Sequence, residues 1–153
     1  MIITHDYLNT LGEKFLKSAK NWRYKCPITR VELRSASFET PDVLGLRSGA
    51  SVLIESKTNR RDFLNDKKKI HRSTEGIGDW RFFLSTEDVI KEEDLYDDWG
   101  LLHTDGKKVW VEKHPEPRIN RHKSSDCLIM YSIIRRQEEE IKNLKNERTT
   151  NII

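Results

Sequence analysis

The sequence predicts an α/β fold, a central mixed β-sheet flanked by helices, and three observations carry that reading. Strand-like segments fall in two groups of three, at 28–34, 42–47 and 51–57 and then at 79–84, 99–104 and 107–112. Helical patterns stand before, between and after these groups, an order that places helices on a sheet. In the central strands, Val43, Val52 and Ile54 project one way while Leu44, Leu46 and Leu53 project the other, so neither face of the sheet centre is left to solvent.

Each element has its own justification. Residues 5–19 repeat Leu8, Leu11, Phe15 and Ala19 at helical spacing, with Thr4 in place as N-cap. Ile28-Thr-Arg-Val-Glu-Leu-Arg34 is rich in strand formers. Pro41 introduces strands 42–47 and 51–57, which the turn dipeptide Ser48-Gly49 separates. Asn59 caps a helix expected over 60–72, with Asp62 three residues on completing a near capping box. After Gly76-Ile77-Gly78 comes the aromatic strand 79–84, then an acidic loop or short helix over 86–97. Strands 99–104 and 107–112 are expected to join through Asp105-Gly106, a strong two-residue hairpin signal. Pro115 and Pro117 end regular structure, and a helix follows over 125–148.

The 153 residues suit one domain with a real core, divided here into a domain over 1–114, a linker over 115–124 and a C-terminal helix and tail over 125–153. Charged and hydrophobic residues each make up 35%, as expected of a globular protein with a charged surface. No apolar run approaches a membrane span, and no basic-then-apolar leader opens the chain, so the expectation is a cytoplasmic protein with no membrane partner. Cys26 and Cys127 stand far apart without metal-ligand spacing and read as two reduced thiols.

The net charge of +3 is unevenly spread. From Lys57 to Arg72 seven basic residues face two acids, an excess of five that exceeds the charge of the whole chain. A concentrated positive surface suits a polyphosphate, which makes Arg60, Arg61, Lys67, Lys68, Lys69, His71 and Arg72 candidates for nucleic-acid contact; a solvated helix face is the plainer alternative.

The chemistry concentrates on the first hairpin. If Ser48-Gly49 is a two-residue turn, Arg47 pairs with Ala50, Leu44 with Leu53, and Asp42 stands directly opposite Glu55. Opposed side chains lie about 5 Å apart at Cβ, and two carboxylates that close repel unless a cation lies between them. Lys57, two residues past Glu55, projects from the same strand face. Mg²⁺ or Mn²⁺ between Asp42 and Glu55, with the Ser56 carbonyl as a further ligand, would polarise a phosphate and acidify a water. Lys57 would orient that water or stabilise transition-state charge.

Pro41-Asp42 followed by Glu55-Ser56-Lys57 on the next strand resembles the PD-(D/E)xK nuclease superfamily. The stretch from Ser51 to Lys67, with Asp62-Phe-Leu-Asn-Asp-Lys67, is similar to small MmcB-like DNA repair proteins and related phage and bacterial proteins. Gly76-Ile-Gly-Asp-Trp-Arg-Phe-Phe-Leu84 and Trp99-Gly-Leu-Leu102 are similar to later segments of that group, so the resemblance covers roughly 28–112. It implies a restriction-endonuclease-like core and a DNA nuclease of repair, recombination or phage DNA metabolism. It also implies metal ligation by Asp42 and Glu55 and a catalytic Lys57. Glu32 sits where such proteins often place another acid and joins the catalytic set; Glu39 and Glu13 compete for that role. Asp62, Asp66 and Lys67 match the helix motif as supporting residues.

Other features have plainer readings. Trp80, Phe82, Phe83 and Trp99 are expected in the core rather than stacked on bases, and His103, His114 and His122 on the surface. Arg121-His122-Lys123 forms a small basic cluster that DNA could use. Ile134, Ile141 and Leu144 follow a heptad seam interrupted by Gln137, which suits either a homodimer through the C-terminal helix or a helix that packs on the sheet and frays after Asn143. The competing function is a non-catalytic nucleic-acid- or protein-binding module on the same fold, such as an accessory or anti-defence protein. Retention of both acids and the lysine favours catalysis.

Overall fold

The computed structural model describes residues 2–35, 39–66, 68–69, 76–96, 98–118, 121 and 123–151. Its elements are α1 (His5–Ser18), β1 (Ile28–Val31), β2 (Val43–Arg47), β3 (Ala50–Ser56), α2 (Arg60–Asp66), β4 (Trp80–Ser85), β5 (Gly100–Thr104), β6 (Val109–Lys113) and α3 (Ser124–Thr150), with one turn of 3-10 helix at Glu92–Asp94. The six strands lie in sequence order. β1, β2 and β3 form an antiparallel meander, β3–β4 and β4–β5 are parallel, and β5–β6 closes as an antiparallel hairpin. The chain thus has an α/β fold built on a mixed sheet.

The first hairpin follows from its turn. Gly49 takes φ 77°, a conformation that costs glycine little, and Arg47 pairs with Ala50 across the two-residue loop. Leu44 then opposes Leu53 and Val43 opposes Ile54. The second hairpin departs from expectation. Thr104 pairs with Val109, so four residues rather than two make the loop. The Asp105 carboxylate accepts the N–H groups of Lys107 and Lys108, both at 2.8 Å, and this side-chain turn replaces the two-residue one.

One sheet face is covered by α1. Thr4 caps the helix through the Tyr7 N–H, and Leu8 and Leu16 pack on Val43, Val52, Ile54, Phe82 and Leu84. Close packing requires Gly45: a Cβ there would lie 2.7 Å from Cys26 Sγ and 2.8 Å from Leu16 Cδ1. The opposite face carries two smaller clusters. Phe63 of α2 packs with Leu53, Phe83 and Trp99, and Ile129 and Ile133 of α3 pack with Leu44 and Ile77. The four candidate aromatics belong to this interior: Phe82, Phe83 and Trp99 are fully buried, and Trp80 packs at the edge of the α1 side.

Two boundaries shift for local reasons. The first strand ends at Val31 rather than 34, because Glu32 takes φ 47° and turns the chain out of the ladder while its N–H still donates to the Asp42 carbonyl at 3.0 Å. α2 ends at Asp66 rather than 72: Lys68 and Lys69 donate to carbonyls three residues back, tightening the last turn.

The described residues of the 115–124 segment are pinned down rather than solvated. Arg118 Nη1 reaches the carbonyls of Gly76, Ile77 and Gly78 at 3.1–3.4 Å. Burial, and the like charges of Arg81 and Arg121, pull its guanidinium down to about 10. Arg121, whose side chain is 2% exposed, pairs with Asp79 at 3.1 Å and with Asp126 at the start of α3. Arg121 is therefore withdrawn from any role in DNA contact. His103 is also buried, against the expectation of a surface site, with Nε2 2.9 Å from the Ile90 carbonyl.

Two predictions follow from this packing. Gly45→Ala forces a methyl into Cys26 and Leu16, and urea titration should show a loss of about 1–3 kcal/mol; an unchanged midpoint would contradict the packing. At Asp79, burial alone would raise the carboxyl, but the Ser51 N–H, the Arg121 guanidinium and the Lys123 ammonium outweigh it and hold the group below its usual 3.8. A depressed folded-state pKa adds stability that is present above the unfolded value and lost as pH falls through the folded one. Stability should thus decline below about pH 4, and Asp79→Asn should flatten that acid limb in denaturation curves recorded from pH 2 to 7.

Candidate active site at the end of the first hairpin

The site lies where the β2–β3 ladder runs out. One residue beyond the Val43–Ile54 pair stand Asp42 and Glu55, at the register read from the turn. Asp42 has just left the strand, and its Oδ2 accepts the Ser56 N–H at 2.9 Å, which ties the acid to the end of β3. Glu55 is 3% exposed. Lys57 continues past the strand with its N–H on the Leu84 carbonyl at 2.9 Å, held level with the end of the neighbouring parallel strand.

These residues line one cavity of about 330 Å³, together with His5, Thr40 and the α2 residues Asp62, Asn65 and Asp66. Lys57 Nζ donates to Asp66 Oδ1 at 2.9 Å and lies 3.9 Å from Glu55 Oε2. The Lys69 ammonium approaches the same Asp66 oxygen at 3.2 Å. Asp66 thus holds two ammonium groups at the rim of the acidic pair, and it is itself 1% exposed. The capping bonds of α2 bring it there: Asn59 Oδ1 accepts the Asp62 N–H at 2.9 Å, and Asn59 Nδ2 donates to Asp62 at 2.7 Å. Phe63 then seats the helix on the sheet, which turns Asp66 inward one turn later.

His5, which no sequence motif marks, also reaches the site. Its Nε2 is 3.2 Å from Asp42 Oδ2, on the side away from α2, and its Nδ1 is 3.8 Å from Glu32 Oε1 and 4.0 Å from Asp6 Oδ1. His5, Asp6 and Glu32 offer ligand atoms within 4.8 Å of one another. Nothing in the spacing of His5 from the hairpin signals this, because it is α1 packing on the sheet that brings the helix start to Asp42. Glu32 stands beside Asp42 through the backbone bond, with its carboxylate toward His5 and outside the cavity lining.

Its two rivals have other roles: Glu39 is buried and accepts the Ile77 N–H at 2.8 Å, and Glu13 pairs with Lys17 along α1. Of the candidate nucleic-acid residues, Arg60, Arg61, Lys68 and Lys69 are exposed, and Arg60 forms a two-pronged pair with Asp94, both bonds at 2.7 Å. Lys67, His71 and Arg72 lie outside the described residues, as does His122.

The donor set fits a hard divalent cation. Asp42 and Glu55 supply carboxylate oxygens at one cavity wall, the Ser56 backbone is held beside them, and the acids lining the cavity outnumber its ammonium groups. The neighbouring imidazole adds a nitrogen that transition ions accept more readily than Mg²⁺ does.

No family model matches the chain, and no curated protein matches it. Among solved structures, a protein of unknown function from Silicibacter pomeroyi, SPO1766, is similar, with a TM-score of 0.55 and 20% identity over 79% of this chain and 81% of that one. At that identity the likeness shows a shared fold.

The Lys57–Asp66 pair gives this site a measurable signature. Asp66→Ala leaves a nearly buried ammonium without its closest partner and should cost about 3 kcal/mol in a urea melt. Asp66→Asn keeps an acceptor and should cost less. Equal, negligible losses in both variants would mean that the pair does not hold α2 to the site.

Proposed function

We propose that this protein is a metal-dependent nuclease that hydrolyses phosphodiester bonds in DNA. The observation that carries the reading is the convergence of Asp42, Glu55 and Lys57, from two strands, on one cavity at the sheet's end. A divalent ion, Mg²⁺ or Mn²⁺, held by Asp42 and Glu55 with the Ser56 carbonyl, would supply Lewis-acid polarisation of the scissile phosphate and a more acidic water.

The chain's own residues do the rest. The Ser56 N–H fixes the Asp42 carboxylate, so this ligand is oriented before any ion arrives. Asp66 holds the Lys57 ammonium at the mouth of the acidic pair, where it faces charge developing on a phosphate. Arg61, Lys68 and Lys69 offer exposed charge to the flanking phosphates. The resemblance of the motif stretches to small DNA repair proteins supports a role in DNA repair, recombination or phage DNA metabolism, inside the cell.

One observation favours a second reading. Lys57 already has a carboxylate partner at 2.9 Å, and its side chain is only 10% exposed. A lysine so engaged also suits a binding module on the same fold, in which the ion pair is structural.

The test uses single-stranded, duplex, nicked and branched DNA, and RNA, each with Mg²⁺, with Mn²⁺ and with chelator. Metal-dependent cleavage of DNA is expected, reduced about 100-fold or more by Glu55→Gln and by Lys57→Ala while binding in a mobility-shift assay persists. Cleavage that survives both substitutions would refute the site, and binding without cleavage on every substrate would favour the second reading.

A further inference from the structure

The surface opposite the candidate active site is as distinctive as the site itself. α3 runs 27 residues, about 40 Å, yet its last buried residue is Ile133. Beyond that point every described residue is exposed, including Ile134 at 58%, Ile141 at 47% and Leu144 at 53%. These three continue a seam that starts at Met130, itself 42% exposed, and only Gln137 interrupts it.

The first half of this seam is also one wall of a groove. Met130, Ile133 and Ile134 face Ile28 and Leu46, at the outer end of the sheet, across a cavity of about 540 Å³. The rim carries Lys17, which pairs with Glu13 along α1, together with Arg30 and Arg47, and no acidic residue lines it among the described residues. Arg30 donates to a backbone carbonyl, and Arg47 lies over Trp22 and Trp80 with its Nε on the Arg23 carbonyl; neither meets a carboxylate among the described residues. The groove is therefore an apolar floor with a positive rim.

The distal half of α3 offers a second apolar face, with Glu138, Glu139 and Glu140 leading into it. Ile141 and Leu144 share one face, flanked by Glu138, Glu140 and Glu147 and also by Lys145, with Arg148 continuing the seam one turn on. We propose that the occupant of the groove is the distal half of α3 from a second copy of this chain, and that the exchange is reciprocal, giving a two-fold symmetric dimer with antiparallel α3 helices. One feature selects that orientation. The order Arg135-Arg136-Gln137-Glu138-Glu139-Glu140 reverses sign about its centre. An antiparallel pair therefore sets arginines level with the partner's glutamates, whereas a parallel pair stacks glutamate beside glutamate.

Gln137 then falls near the two-fold axis, where two amides can hydrogen-bond to each other. A lone polar residue in an apolar seam fixes register in this way. Ile134 meets the partner's Ile141, and Met130 meets its Leu144. A self-complementary patch of this kind closes at two copies and does not propagate.

Sedimentation of the full chain tests the state, and cross-linking tests the orientation. The wild-type chain is expected to sediment at twice its 18.1 kDa mass. Ile141→Asp with Leu144→Asp, both at exposed positions, should weaken self-association at least 100-fold with an unchanged circular dichroism spectrum. In a Cys127→Ser background, mixed Met130→Cys and Leu144→Cys chains should oxidise to a disulfide between the two variants. A wild-type monomer at all concentrations, or a dimer unaffected by the double aspartate variant, would overturn the proposal. Cross-links that form only between identical variants would show parallel helices and overturn it as well.

Discussion

The structure is organised around burial of β3 on both faces. β3 is the strand at which the antiparallel meander meets the parallel half of the sheet, and every residue from Ser51 to Lys57 is buried. A one-residue slip would carry Leu53 to the α1 side and Ile54 toward Phe63, so two hydrophobic clusters oppose it together. That double penalty lets the end of the strand present a carboxylate and an ammonium in a defined place. Polar groups at a frayed strand end would sample many positions and could not share one small cavity.

The same constraint explains why the polar groups cluster at strand ends. Along β3 the side chains must be apolar or small, because helices press on both faces. At Glu55 and Lys57, still buried, charge is tolerated because it is paired. Asp66, reaching back from the α2 turn, supplies that pairing from the one helix whose position is itself set by Phe63 on the sheet. The candidate site is in this sense assembled by the same hydrophobic contacts that build the core.

How much of this was legible in the sequence depended on contact range. The hairpin register was readable because Ser48-Gly49 sets a local geometry and the leucines and valines on either side enforce it. The α1 and α2 N-caps were readable for the same reason, since Thr4 and Asn59 act within three residues. His5 beside Asp42, Arg118 on the Gly76–Gly78 carbonyls and Arg121 between Asp79 and Asp126 span 37 residues or more, or depend on a segment whose composition looks solvated. The Asp105-Gly106 turn shows a local signal overruled by another: the dipeptide suited a two-residue loop, but the Asp105 carboxylate found two backbone donors and a wider turn won.

The arginine clamp over the Gly76–Asp79 loop has a consequence for how the molecule opens. The first turn of α3 is tied to the body through Asp126, Arg121 and Ser51, and the helix adds only Ile129 and Ile133 as deep apolar anchors. The α1 side of the core shares none of those groups. α3 therefore rests on fewer buried apolar contacts than α1, and native-state hydrogen exchange is the measurement that would rank its opening against that of the sheet. The helix is thus held to the body by one ion-paired cluster at its start, two buried isoleucines and the Arg136 bond to the Arg34 carbonyl.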